Sequence, residues 1–144
     1  MTAICIIPAR GGSQRIPRKN IKPFHGKPII AYSIEVARKC DVFDDVIVST
    51  EDDEIALVAL RYDGSVILRP AEMARDIIGT QDVTRAALLQ AEVQRGKQWD
   101  TVCCLYPTAP LVIAQELREG GAMLRGRGVD FVMTVLDPLA EVGS

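Results

Sequence analysis

The sequence has 144 residues, 48% of them hydrophobic and 25% charged, and a formal net charge of −2. That is material for one soluble domain, 1–144, whose core must be aliphatic because aromatics make up only 5%. A near-neutral chain without an apolar run of spanning length excludes a broad nucleic-acid surface and a membrane span. Met1-Thr2-Ala3 opens without the charged region of a secretory leader, so a cytoplasmic protein is expected. The four cysteines, Cys5, Cys40, Cys103 and Cys104, form no Cys-x-x-Cys, and His25 is the only histidine. Zinc, a disulfide framework and a histidine-based nucleophile are disfavoured, and the thiols read as small buried hydrophobes.

The chain begins with an apolar run, Ile4-Cys5-Ile6-Ile7, leading into Arg10-Gly11-Gly12-Ser13. This is the profile of a buried parallel strand ending in a ligand loop. Gly11 and Gly12 permit positive φ and close backbone approach. Ser13 and free amides can donate to phosphate. Residues 1–34 hold six basic residues (Arg10, Arg15, Arg18, Lys19, Lys22, Lys27) and no acid, leaving eleven basic and nineteen acidic residues elsewhere. Such a local excess suits either an anionic ligand held in one place or a solvated basic loop; the neighbouring strand and glycines favour the ligand. Neither Gly-x4-Gly-Lys-Ser/Thr nor Gly-x-Gly-x-x-Gly is present, so the P-loop and dinucleotide fingerprints are absent.

A turn at 23–28 follows, with Pro28 at a first helical position and an amphipathic helix over 29–39 carrying Ile30, Ile34 and Ala37. A strand at 45–50 leads into acids 51–54, which open a helix through Tyr62 that Gly64 stops. Acids at a helix N-terminus are ordinary, so no metal site is assigned there. A third strand, 65–68, ends at Arg69, which the following proline holds extended and able to point into a crevice. Residues 76–80 read as a loop and 82–95 as a helix with Val83, Ala86, Ala87, Leu89 and Val93 mostly on one side. A central buried strand, 101–106, breaks into Pro107-Thr108-Ala109-Pro110, and a helix at 114–124 and a strand at 130–135 complete the chain. The alternation implies an α/β fold of three layers around a mostly parallel sheet.

Several stretches together resemble the CMP-sialic acid synthetase family. They are Ile7-Pro8-Ala9-Arg10-Gly11-Gly12-Ser13 with Ile16-Pro17 and Lys19-Asn20, the helix following Gly26-Lys27-Pro28, Val48-Ser49-Thr50-Glu51-Asp52, Arg69-Pro70-Ala71-Glu72, the Pro-Thr-x-Pro-Leu at 107–111 and the strand at 130–135. The resemblance implies a Rossmann-like fold of the nucleotide-diphospho-sugar transferase type. It also implies a cytidylyltransferase that joins CTP to a nine-carbon sialic or pseudaminic acid and releases pyrophosphate. By the same resemblance Arg10, Gly11, Gly12, Ser13 and Lys19 surround the triphosphate, with Arg10 and Lys19 catalytic, while Asn20, Arg69 and Thr80 contact the nucleotide and Tyr106 and Thr108 face the sugar. Tyr106 stands where sialic acid enzymes carry glutamine, and Cys-Cys-Leu-Tyr looks more like the pseudaminic acid branch; an ordinary strand-end aromatic remains the other reading. Gln14 stands where many relatives have lysine, with Arg15 adjacent.

Family members run to roughly half as long again, within the range of one α/β domain. The further part implies a homodimer segment, much of the sugar pocket and an Asp-x-Asp pair for Mg2+, leaving that cofactor without evident ligands here. Two alternatives follow: an inactive CTP-binding module, and a cytidylyltransferase for another sugar acid, such as the eight-carbon acid of lipopolysaccharide. The long basic loop disfavours the latter.

Overall fold

The structure is a computed structural model and describes residues 2–11, 19–69, 80–108 and 114–126. Four parallel strands form its centre: β1 (Ala3–Pro8), β4 (Asp45–Thr50), β5 (Ser65–Leu68) and β6 (Thr101–Cys104), in the order β5-β4-β1-β6. In β1, Ile6 lies opposite Ile47 on one side and Cys104 on the other. β1 and β4 are buried at nearly every position, so their unbroken apolar runs are what a strand covered on both faces requires.

Alternate strand residues feed two cores. Cys5, Ile7, Val46 and Val48 pack with Ile30 and Ile34 of α1 (Ile29–Lys39) and Ile55 and Ala59 of α2 (Asp53–Arg61). Ile4, Ile6, Ile47 and Ile67 pack on the opposite face with Ala87 and Ala91 of α3 (Thr80–Arg95) and with Trp99. Each buried isoleucine contributes about 1.5–3 kcal/mol. α4 (Ala114–Gly126) packs against α1. The three layers and the mostly parallel sheet expected from the alternation are therefore present.

Pro28 departs from expectation. With φ −55° and ψ 138° it precedes α1 and belongs to β3 (Lys27–Pro28), paired with β2 (Pro23–Phe24). His25 (φ 48°) and Gly26 (φ 90°) supply the two positive angles that this two-residue hairpin needs. The hairpin docks on α1, where the Tyr32 hydroxyl donates to the Phe24 carbonyl.

Other expected bounds also shift. α2 starts at Asp53 because Asp52 is its cap, accepting from the Glu54 and Ile55 amides, and Glu51 lies outside the helix. Asp63 (φ 66°) is its left-handed exit, and the Gly64 N–H closes the helix end by donating to the Ala59 carbonyl at 2.9 Å. α3 begins at Thr80, which was expected in a loop. Leu89 and Val93 are exposed, because the face packed on the sheet runs through Val83, Ala87 and Ala91. β6 stops at Cys104 and is the outermost of the described strands on its side, and Cys104 is exposed where a buried thiol was expected. The expected strand at 130–135 lies outside the described residues. Among the described residues, no helix is long and apolar enough to cross a membrane.

Candidate functional site

The chain starts in β1, moves outward through β4 and β5, then returns to the other flank of β1 as β6. The strand order therefore reverses beside β1. Parallel α/β sheets bind ligands outside the carboxyl ends of strands at such a reversal. Each strand exit is held in register by one further hydrogen bond. Ala9 N–H donates to Ser49 O at 2.9 Å, Arg69 N–H to Thr50 O at 3.0 Å, and Leu105 N–H to Ile6 O at 3.0 Å. The ladder thus delivers Arg10 and Gly11, Glu51 and Asp52, Arg69, and Tyr106 to the same end of the sheet.

Arg69 is the most unusual of these side chains. It is only 5% exposed, and its guanidinium reaches Glu51 at 3.5 Å while its Nε has no hydrogen-bond partner. Burial pushes its pKa down, Glu51 opposes that shift, and the nearby Arg10 cation adds to it. Two guanidinium groups close enough to repel, one of them buried and underpaired, make a local demand for negative charge.

The loop after β1 is shaped by the acids after β4. The Gly11 N–H donates to Glu51. Gly11 also passes so close to Asp52 that a Cβ there would lie 2.2 Å from Asp52 Oδ2. From below, Asn20 anchors the same loop. It is buried in the short 3-10 turn Lys19–Ile21, its Nδ2 donates to the Arg10 carbonyl at 2.7 Å, and its Oδ1 is buried and unpaired.

The structure thus brings Arg10, Gly11, Asn20 and Arg69 together, with Lys19 beside Asn20. Gly12 and Ser13 lie outside the described residues. Thr80 opens α3. Tyr106 and Thr108 are exposed beyond β6, on the opposite side of β1 from Arg69. Two participants escape sequence reading. Ser33, fully buried on α1, donates to the Tyr106 carbonyl at 2.8 Å. Glu51 is absorbed by the acidic run, although its place directly after a strand, like that of Arg69, is a usable signal.

Among the described residues, no three His, Cys, Asp or Glu side chains converge to hold a metal ion. Glu51 is engaged with Gly11 and Arg69, and Asp52 with the α2 amides. The described residues do not fit Mg2+.

Comparison with known proteins gives consistent results. The model of a family described as cytidylyltransferase matches residues 4–143. The pseudaminic acid cytidylyltransferase of Campylobacter jejuni serotype O:2 is 46% identical over 122 residues, covering 83% of this chain and 51% of its own. N-acylneuraminate cytidylyltransferase A of Danio rerio is 35% identical over 131 residues, covering 91% of this chain and 29% of its own. Among solved structures, a CMP:2-keto-3-deoxy-manno-octonic acid synthetase complexed with CTP superposes with a TM-score of 0.73 at 23% identity, over 90% of this chain and 49% of that one. A cytidylyltransferase from Leptospira borgpetersenii gives 0.70 at 24% identity, over 89% and 51%. These structural likenesses show the shared fold. The chain spans about half the length of the bacterial relative that it matches.

Proposed function

The chain belongs to the cytidylyltransferase family, and on that premise we propose that it binds CTP at the carboxyl ends of β1, β4 and β5 and serves the activation of a nine-carbon acidic sugar. The observation that carries this reading is Arg69, a buried guanidinium with an unpaired Nε beside Arg10 and the Gly11 loop. In the reaction, the anomeric hydroxyl of the sugar attacks the α-phosphorus. The new oxygen–phosphorus bond forms as the bond to the β-phosphate oxygen breaks, pyrophosphate leaves, and the hydroxyl proton passes to solvent. Negative charge grows on the phosphoryl oxygens and the leaving group, and cations fixed in advance stabilise it without reorganising.

Arg10, Lys19 and Arg69 take that role, with Gly12 and Ser13 completing the phosphate contacts. Gly11 lets the backbone pass close beneath them. Asn20 holds the Arg10 carbonyl and, through Oδ1, offers an acceptor to the nucleotide; Thr80 is a further nucleotide contact. Tyr106 and Thr108 are assigned to the sugar side, which their exposure across β1 supports. Mg2+ is the family's expected ion, and no step is assigned to it because the described residues do not fit it. The 46% identity to a pseudaminic acid enzyme supports pseudaminic acid as the first sugar to test.

Calorimetric titration with CTP, with ATP as control, tests the site. Selective CTP binding is the expected result, and binding of neither nucleotide would sink the reading. Pyrophosphate release with pseudaminic and sialic acids then tests turnover; CTP binding without release would make the chain a binding module.

A further inference from the structure

We propose that Glu51 is a positioning residue for the nucleotide site, bracing the loop after β1 to the arginine after β5. The consequence for ligand binding rests on the CTP reading above, whereas the brace itself rests on geometry alone. β4 lies between β1 and β5 in the sheet. The first residue beyond β4 is therefore placed between the two loops. Glu51 uses its two oxygens separately: Oε1 accepts the Gly11 N–H and Oε2 faces the Arg69 guanidinium at 3.5 Å. Both charged side chains are largely shielded, at 15% and 5% exposure. The adjacent Asp52 cannot substitute, because its Oδ1 caps α2 and its Oδ2 fills the space beside Gly11.

Charge alone argues against keeping a carboxylate here. A nucleoside triphosphate is polyanionic, so removing a nearby negative charge should tighten its binding. Removing the brace has the opposite sign. Arg69 would lose its counter-ion while buried, and Gly11 would lose the acceptor that fixes the loop. The two effects can therefore be told apart by direction.

The test is CTP titration of the wild type, Glu51→Gln, Asp53→Asn, Arg69→Lys and the Glu51→Gln/Arg69→Lys double variant. Asp53 is exposed in the first turn of α2 and removes the same charge without touching the brace. Glu51→Gln should weaken CTP binding about tenfold, while Asp53→Asn leaves it unchanged or slightly tighter. The effects of Glu51→Gln and Arg69→Lys should be non-additive, since part of what Glu51 does passes through Arg69. Unchanged or tighter binding by Glu51→Gln overturns the proposal. Hydrogen exchange at the Gly11 amide reads the brace without any nucleotide. It should accelerate about tenfold or more in Glu51→Ala, with the slowest core amides unmoved to show that the fold is intact, and unchanged exchange at Gly11 also overturns the proposal. Failure of the wild type to bind CTP would instead remove the nucleotide reading and leave the brace to the exchange measurement.

Discussion

Gly11 shows how a glycine can be required without an unusual backbone angle. Among the described residues the positive-φ glycines are Gly26 and Gly96, so the left-handed freedom expected of Gly11 is not what it supplies. Its role is steric, because an added Cβ would meet Asp52 Oδ2 at 2.2 Å and the Asp52 Cβ and Cγ at 2.8 Å. Gly11→Ala should therefore cost about 1–3 kcal/mol of stability and loosen the loop that carries Arg10. Urea unfolding would show a lower midpoint with an unchanged slope, and CTP titration a weaker Kd; a variant equal to wild type in both would refute the steric account. Asn20 illustrates the same economy, with one amide group both anchoring the Arg10 carbonyl and leaving a buried acceptor open.

At the scale of elements, α1 does more than cover the sheet. Ser33 lies on its buried face and reaches the turn after β6, 73 residues away in sequence. Ser33→Ala should destabilise the chain by about 1 kcal/mol, measured by urea unfolding; an unchanged midpoint would mean the contact is dispensable. Much at this scale was legible in sequence. The bounds of α1, β4 and β5 follow from periodicity and unbroken apolar runs, and the observed elements coincide with 29–39, 45–50 and 65–68. α3 misled because two of its large apolar residues are not buried: close helix–sheet packing favours Ala87 and Ala91 beside Val83, leaving Leu89 and Val93 in solvent. Arg10 and Arg69 could be found because Arg69 directly follows β5 and Arg10 lies two residues beyond β1. The Gly11–Glu51 and Gly11–Asp52 contacts could not, since residues about forty apart share no local pattern.

At the scale of the molecule, the two ends of the sheet are built differently. Cations gather at the carboxyl end, while the amino end is tied by carboxylates. Asp44 accepts from the Ala3 amide at 2.7 Å, Asp100 accepts from the Thr2 amide and hydroxyl, and Asp45 pairs with Arg95 and Lys97. The hydrogen bonds from Thr2 lower the pKa of Asp100. Because the folded value lies below the unfolded one, its contribution is complete above the ordinary aspartate range, about pH 4, and is lost as pH falls through the folded value. Asp100→Asn should lower the unfolding temperature at neutral pH, and the gap to wild type should close on acidification; a gap independent of pH would count against the tether. The sheet order has a further consequence for the life of the nascent chain. β1 is translated first yet sits between β4 and β6, with Ala3 opposite Thr101. Its second edge therefore waits for a neighbour far along the chain, and closing that long loop delays folding. β4 can pair with one edge of β1 early, but the other edge stays open until β6, which ends at Cys104, has been made. The placement that brings Arg10 beside Arg69 thus leaves the newborn chain with one open strand edge.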